Sequence, residues 1–550
     1  MVKLSPDSLE FLLQIDVIQE LLPKIGKEQW QTLYLASRDS SHQLTVWCAF
    51  LDEEAVDRAI LDESWDLTIG DGTPTFCQKW SDGKSVTTYH RFGNDSGVRP
   101  LVLHRSFHDA FPQYVEVDEE FRLYHDLAED KKRGLLLSFD TSGREIEVVR
   151  IKSNEVRALL KHLRQFQAAI GLHLAIYVDS VRYSLIPFVE IPSNEKVLAV
   201  ADGLIRWRRD VVKCMAIEEF ETFSRLLGKV IIPPPAQNKT GAWPFTVDDD
   251  KKEVAFIIGV DENGDEIEHS SKPSKLNNYY DANPEAENYM KPVYFRREVL
   301  GKYYAEPERY RVLDGQLSCL NIWSCQIDND LDSYIAVYLG DLGRYMPYEE
   351  RLHWRQYNVV PEGRISETNF RRSFLAQAVE SQSADLTFRR EYTKLLHDWK
   401  SVHGWSLFLP SSQGDVHLLD TVRIPVTNSQ PEFDEQIGHL SKLLVDSLNE
   451  KCLIIQAGML EKDTKGISKL DSYLESTNFP ERQSVVQFLR NLQNFRSSGS
   501  AHRKGSRYEE HIARLGIDMT RKADVIRELL EKATIALRSL RIHHCGKDDD

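Results

Sequence analysis

An arginine and a histidine six positions apart near the C-terminal end of the sequence could together cleave a phosphodiester. Arg496 is followed by five small residues, 497–501, and then by His502. Arginine can stabilise the charge of a phosphorane, and histidine can transfer a proton near neutral pH. The 2′-hydroxyl of RNA, which DNA lacks, can attack the adjacent phosphate without a metal. The pair therefore indicates RNA cleavage that needs neither a metal nor a cofactor.

Basic residues surround this pair in a chain that is otherwise acidic. The formal net charge is −16, which argues against a protein that coats nucleic acid non-specifically. Between residues 486 and 507, however, the sequence contains no acidic residue. We expect this segment to form a local cationic patch that binds the flanking phosphates of RNA through Arg490, Arg503, Lys504 and Arg507.

The elements that must position the pair are helices. Apolar residues recur at helical spacing over residues 433–449, 466–474, 481–496 and 520–540. They predict a helical bundle at residues 431–545, followed by a disordered tail at 546–550. Arg496 would end the third helix. The small residues of the spacer would then let the backbone curl tightly and bring the side chains of Arg496 and His502 to one site.

A terminal helical bundle with Arg-x5-His at the end of its third helix resembles the HEPN domain. In that family the arginine and the histidine line a composite site between two facing domains and cut RNA without a metal. Many members are toxins or effectors of antiviral and abortive-infection systems. The resemblance covers roughly residues 431–550. It implies an endoribonuclease of bacterial antiphage defence, with Arg496 and His502 as its catalytic residues.

The resemblance also implies partners, and the residues leave alternatives open. The family's two-sided site implies a homodimer formed through the bundle, and a defence effector implies a phage-derived trigger or a partner protein. One alternative is a HEPN-like module that binds RNA or protein, or dimerises, without catalysis. Another is a purely structural role, in which Arg496 caps helix carbonyls and His502 packs in a loop.

The first 430 residues alternate between strand and helix patterns and are predicted to form two mixed α/β domains, so that the whole chain is α+β. Three prolines at 233–235 predict the linker between domains 1–230 and 231–430. These domains exceed what a nuclease site needs, so we expect them to sense a trigger or restrain the nuclease. The clearest patterns are strands at 44–51, 135–139, 145–151 and 174–178, helices at 5–22, 154–170, 366–377 and 386–399, and a hairpin at 254–267.

Weaker chemical candidates have simpler explanations. His104 and His108 share one face of a predicted strand but have no nearby cysteine, so we expect surface histidines and no zinc. His543 and His544 are predicted to lie in a frayed terminus. The acidic run at 261–266 resembles a calcium loop, but Gly264 comes too early for an EF-hand, which favours a charged hairpin tip.

A metal-dependent nuclease in the N-terminal domain is less favoured. Glu116 and Asp118 flank one residue, but no third acid or lysine completes a nuclease-like arrangement. The sequence also contains neither a P-loop nor a Gly-x-Gly-x-x-Gly motif, so no nucleotide hydrolysis is implied.

Length and composition agree with a multidomain cytoplasmic protein. A chain of 550 residues is too long for one core. Its seven cysteines form no Cys-x-x-Cys pair and are expected to be reduced and mostly buried. The N-terminus has acidic residues where a signal peptide would be basic and then apolar, and no segment has the roughly 20 unbroken apolar residues of a membrane span.

Overall fold

The structure is a computed structural model in which the chain forms two compact units. One unit, the N-terminal unit, comprises Met1–Asp140 and Arg144–Asp248, and the other, the C-terminal unit, comprises Thr141–Gly143 and Asp249–Asp550. The structure describes residues 6, 8–16, 19, 24–61, 74–91, 97–108, 110–215, 217–242, 252–277, 283–331, 333–361, 363–410, 417–458, 465–499 and 518–546.

The N-terminal unit is rich in β-structure. Its strands are β1 Trp30–Arg38, β2 His42–Leu51, β3 Pro74–Ser81, β4 Lys84–Arg91, β5 Val98–Pro100, β6 Val102–Arg105, β7 Tyr114–Val117, β8 Ala128–Asp130, β9 Leu135–Phe139, β10 Glu145–Lys152, β11 Glu155–Leu159, β12 His173–Ser184, β13 Val197–Asp202, β14 Ile205–Lys213 and β15 Thr222–Ile232. The largest sheet has the strand order β13-β14-β15-β12-β2-β1-β11-β10-β9-β8, with β5 paired to β2.

This unit contains two helices beyond the two that the sequence predicts, and the two predicted helices are shorter among the described residues. The helices are α1 Leu9–Leu12, α2 Glu53–Leu61, α3 Glu119–Tyr124 and α4 Leu160–Ile170. The four predicted strands are confirmed. The helix predicted at 154–170 is wrong in its first part, because β11 occupies Glu155–Leu159 and pairs with β1 and β10. Tertiary pairing there overrides a helical apolar pattern, and the chain turns helical only at Leu160.

The first part of the C-terminal unit combines small sheets with short helices. The predicted hairpin is confirmed, since β16 and β17 pair around a turn in which Gly264 has a φ of +87°. The elements are β16 Ala255–Val260, β17 Glu266–Ser270, β18 Pro292–Arg296, α5 Gly301–Tyr304, β19 Tyr310–Val312, β20 Gln316–Cys319, β21 Trp323–Gln326, β22 Tyr334–Tyr338, α6 Leu339–Tyr345, α7 Tyr348–Arg355, β23 Asn358–Val359 and α8 Glu367–Leu375.

The second part of this unit is helical. Its elements are α9 Ala384–His403, α10 Leu418–Thr421, α11 Gln430–Ser441, α12 Glu450–Ala457, α13 Gly466–Ser476, α14 Arg482–Gly499 and α15 Lys522–Cys545. One turn of π-helix, Lys442–Asp446, continues α11. A β-rich N-terminal region and C-terminal helices make the chain α+β, as predicted.

One apolar core joins these helices. Its buried residues run from Ala384 on α9 to Leu540 on α15. The helical core therefore begins before residue 431, and the predicted division into three domains stays a prediction. None of the helices among the described residues is long and apolar enough to cross a membrane.

Candidate functional site

Helix α14 positions Arg496. The helix presents a buried stripe to the bundle core, formed by Val485, Leu489, Leu492 and Phe495. Arg496 follows Phe495 directly, and 36% of its side chain is exposed. The predicted end of the helix is wrong by three residues, because α14 continues to Gly499. The first part of the spacer is therefore helical, and the backbone does not curl at Ser497.

An acidic partner holds the Arg496 side chain. The Nη1 atom of Arg496 donates to Oδ2 of Asp446, the last residue of the π-helix, and the Asp446 side chain is 46% exposed. A π-turn shifts the side chains that follow it around the helix axis, and such turns recur at functional sites. The pair is exposed to water, so its contribution to stability is small, about 0.2–1 kcal/mol.

A second carboxylate reaches the middle of α14 from α13. Oδ2 of Asp471 lies 3.2 Å from Nη2 of Arg490, and Oδ1 of the same residue lies 2.9 Å from Nε of Arg482. The segment 486–507 has no acid in its own sequence, but the fold supplies Asp446 and Asp471 from elsewhere. The cations of α14 are thus partly neutralised, which weakens the predicted patch within the described residues.

The remaining predicted site residues cannot be placed against Arg496. His502, Arg503, Lys504 and Arg507 lie outside the described residues. Ser497, the first residue of the spacer, is described, and its hydroxyl donates to the carbonyl oxygens of Gln493 and Asn494 at 2.9 and 3.2 Å. This hydroxyl is engaged with its own helix, so its hydrogen does not point towards a substrate.

A groove of about 580 Å³ runs between α14 and α15 beside this site. Phe488, Asn491 and Phe495 line it from α14, and Val525 and Leu529 line it from α15. The apolar lining residues of α14 therefore precede Arg496 in the sequence, and the same groove is lined by charged side chains of α15 such as Asp524 and Lys532.

The weaker candidates have mixed outcomes. His104 and His108 are exposed, as predicted. The frayed end predicted at His543 and His544 is wrong: both lie in the last turn of α15, and the ring of His544 stacks on Tyr473 with a centroid separation of 5.6 Å. Burial lowers the pKa of His544 to about 4, which keeps this ring neutral.

No metal site emerges from the described residues, in which no group of three or more His, Cys, Asp or Glu side chains is arranged to hold an ion. The seven cysteines form no disulfide, and Cys48, Cys214, Cys319 and Cys325 are buried. Sequence analysis missed Asp446 and Asp471 because nothing local marks a residue as the ion-pair partner of another one 50 or 19 positions away.

Comparison of the chain with protein-family models, with curated proteins and with solved structures gave no match.

Proposed function

We propose that this protein is a metal-independent endoribonuclease of the HEPN type that acts as an effector of bacterial antiphage defence. Arg496 stabilises the phosphorane, and His502 transfers protons. The 2′-hydroxyl forms a bond to phosphorus while the bond to the 5′-oxygen breaks, so that the products carry a 2′,3′-cyclic phosphate and a 5′-hydroxyl. The proton from the 2′-hydroxyl leaves through a base, and an acid protonates the 5′-oxygen.

The observation that carries this proposal is the placement of Arg496. Its guanidinium lies near the C-terminal end of a packed helix, is partly exposed, and is oriented by Asp446. A guanidinium oriented in this way can bind a phosphate with little loss of side-chain entropy. Because water screens the Asp446 pair, a phosphate oxygen can take the place of the carboxylate at small cost.

The rest of the proposal follows from the family resemblance. The protein forms a homodimer through the bundle, and Arg490, Arg503, Lys504 and Arg507 bind phosphates on either side of the scissile bond. A phage-derived trigger or a partner protein acts through the regions that precede the bundle. The dimer is tested by sedimentation of the full-length chain, with and without RNA.

The decisive experiment is RNA cleavage in the presence of EDTA. The full-length protein is compared with Arg496→Ala and His502→Ala, and with two matched controls. Arg355→Ala removes another ion-paired arginine, 40% exposed and 2.8 Å from Glu268, and His397→Ala removes an exposed histidine of α9. Wild type and both controls should leave 2′,3′-cyclic phosphate ends, and the two site variants should leave intact RNA.

Two results would contradict the proposal. Cleavage that requires magnesium and survives both site substitutions would place the nuclease elsewhere in the chain. Intact RNA with wild-type protein, even after addition of phage or host material as a trigger, would favour the second candidate.

The second candidate is a HEPN-like module that binds RNA or protein without catalysis. The observation that favours it is the same ion pair, since an arginine bound by a carboxylate is already satisfied. In this case RNA should bind to the wild-type protein without being cut. Gel-shift and cleavage assays on one RNA distinguish the two functions.

A further inference from the structure

A cavity of about 490 Å³ lies in the first part of the C-terminal unit, well before the bundle in the chain. Strands β21 and β22 form one side of it, and α8 together with the residue before it forms another. Its volume lies within the range of small-molecule sites, about 300–1,000 Å³. The cavity is thus large enough for a small ligand.

The lining of this cavity is acidic. Four aspartates face it, and the one arginine in its lining, Arg372, is paired with one of them, Asp314, at 2.6 Å. Tyr289 and Tyr338 add aromatic surface and hydroxyl groups. The other three aspartates are Asp328, Asp330 and Asp341, and the charge of Arg344 acts on Asp341.

Hydroxyl groups hold two of these carboxylates in place. Asp328 is 1% exposed and accepts hydrogen bonds from the backbone nitrogen and the hydroxyl of Ser366, both at 2.7 Å. Asp330 accepts from the hydroxyls of Thr368 and Ser381 at 2.6 and 2.7 Å. Neutral donors fix the direction of these groups but do not neutralise their charge.

Asp341 has an oxygen without a donor. The residue is 7% exposed, and its Oδ1 accepts a hydrogen bond from the hydroxyl of Tyr289 at 2.9 Å, whereas no described group donates to Oδ2. Burial raises the pKa of both Asp341 and Asp328; Arg344 opposes this rise at Asp341, whereas the neighbouring charge of Asp330 adds to it at Asp328. Buried carboxylates with little counter-charge are costly, and a bound cation in the cavity would offset that cost.

The arrangement of the carboxylates excludes a simple metal ion as the best fit. A divalent cation needs several oxygen ligands that converge on one point, and no such group of three exists among the described residues. Asp341 belongs to α6, whereas Asp328 and Asp330 lie in the segment between β21 and β22, so the carboxylates come from two parts of the wall. Distributed carboxylates match a ligand whose positive charges are themselves spread out, and tyrosine rings attract ammonium groups.

We propose that this cavity binds a small organic cation with two or more protonated nitrogens, of the polyamine class. Asp341, Asp328 and Asp330 bind the nitrogens, and Tyr289 and Tyr338 enclose the methylene chain. The site is independent of the proposed nuclease, and its existence does not depend on RNA cleavage.

Titration calorimetry of the full-length protein tests this at physiological salt, with spermidine and putrescine as probes. Magnesium chloride, ATP and a neutral diol of similar length are the negative probes. We expect saturable binding of spermidine at one site per chain, weaker binding of putrescine, and no binding of the diol or ATP. Equal heats for spermidine, magnesium and the diol would overturn the proposal, as would no binding at all.

The variants locate the site. Asp341→Asn should weaken spermidine binding about tenfold or more, because a hydrogen bond to a charged group is lost. The matched control Asp265→Asn removes the same charge from the exposed hairpin tip and should leave binding unchanged. If Asp341→Asn does not fold, Asp330→Asn, which is only partly buried, serves in its place. Unchanged binding in the folded cavity variant, or equal loss in the control, would overturn the proposal.

Discussion

Two arginines of the helical bundle form ion pairs in opposite environments. Arg541 on α15 and Glu391 on α9 are 4% and 1% exposed and lie 3.5 Å apart, with Asp398 at 3.6 Å from the same arginine. Arg496 and Asp446 are 36% and 46% exposed. A buried charge that loses its partner has no water to replace it, whereas an exposed charge does. Arg541 is therefore needed for the stability of the fold, whereas Arg496 can exchange Asp446 for another anion.

The largest effect should come from Arg496→Ala in the cleavage assay. Loss of one group that stabilises transition-state charge lowers a rate about 10²–10³-fold. The free energy of unfolding should change by less than about 1 kcal/mol, since the pair is exposed. Initial rates with a fluorescent RNA and a urea titration measure the two quantities. If Arg496→Ala lowered the free energy of unfolding without lowering the cleavage rate, Arg496 would have the same structural role as Arg541.

Arg541→Ala should have the opposite profile. Removal of one partner leaves Glu391 and Asp398 buried with less counter-charge, which costs about 3–5 kcal/mol. Urea unfolding followed by circular dichroism at 222 nm measures the change. The control is Arg538→Ala, because Arg538 also lies 3.5 Å from Glu391 but is 43% exposed. Equal losses in the two variants would show that burial does not set the strength of these pairs.

The Arg496–Asp446 pair itself should contribute little. A double-mutant cycle with Arg496→Ala and Asp446→Ala should give a coupling energy of about 0.2–1 kcal/mol, and it should fall with added salt. Urea titrations at low and high sodium chloride provide the numbers. A salt-independent coupling above about 2 kcal/mol would mean that this pair behaves like a buried one.

A pH effect is expected at the end of α15, three residues after Arg541. The pKa of His544 is lowered to about 4, first by burial and then by His543 and His403. Its unfolded value is near 6.5, so the unfolded chain binds the proton more readily. The contribution of the neutral ring is complete above pH 6.5 and is lost as the pH falls towards 4.

His544→Phe keeps an aromatic ring among Trp399, Tyr473 and Phe479 and removes the titrating group. We expect its Tm to fall a few degrees less than that of wild type between pH 6.5 and pH 4, as measured by scanning fluorimetry. The control His397→Ala should follow wild type. Parallel curves for all three proteins would exclude His544 as a source of acid sensitivity.

Much of the secondary structure could be predicted because its signals are local. Apolar periodicity located α14 and α15, and the Asn263–Gly264 turn located the β16–β17 hairpin. Two of the failures share a cause, since the contacts that decide the structure there are remote in the sequence. Glu155–Leu159 has a helical pattern, yet β1 and β10 supply backbone partners on both sides. The end of α15 looks polar, yet the aromatic residues of α9 and α13 cover His544.

The candidate site likewise has features that the sequence predicts and features that depend on remote contacts. Residue types and short spacings alone determined which groups could do chemistry, namely Arg496 and His502, and that a helix presents the first of them. Only the tertiary structure decided how the charges of Arg496 and Arg490 are balanced, because Coulomb interaction and desolvation depend on distance in space and on burial. Asp446 and Asp471 therefore came to α14 from other helices, and four aspartates remote from one another in the sequence came to line one cavity.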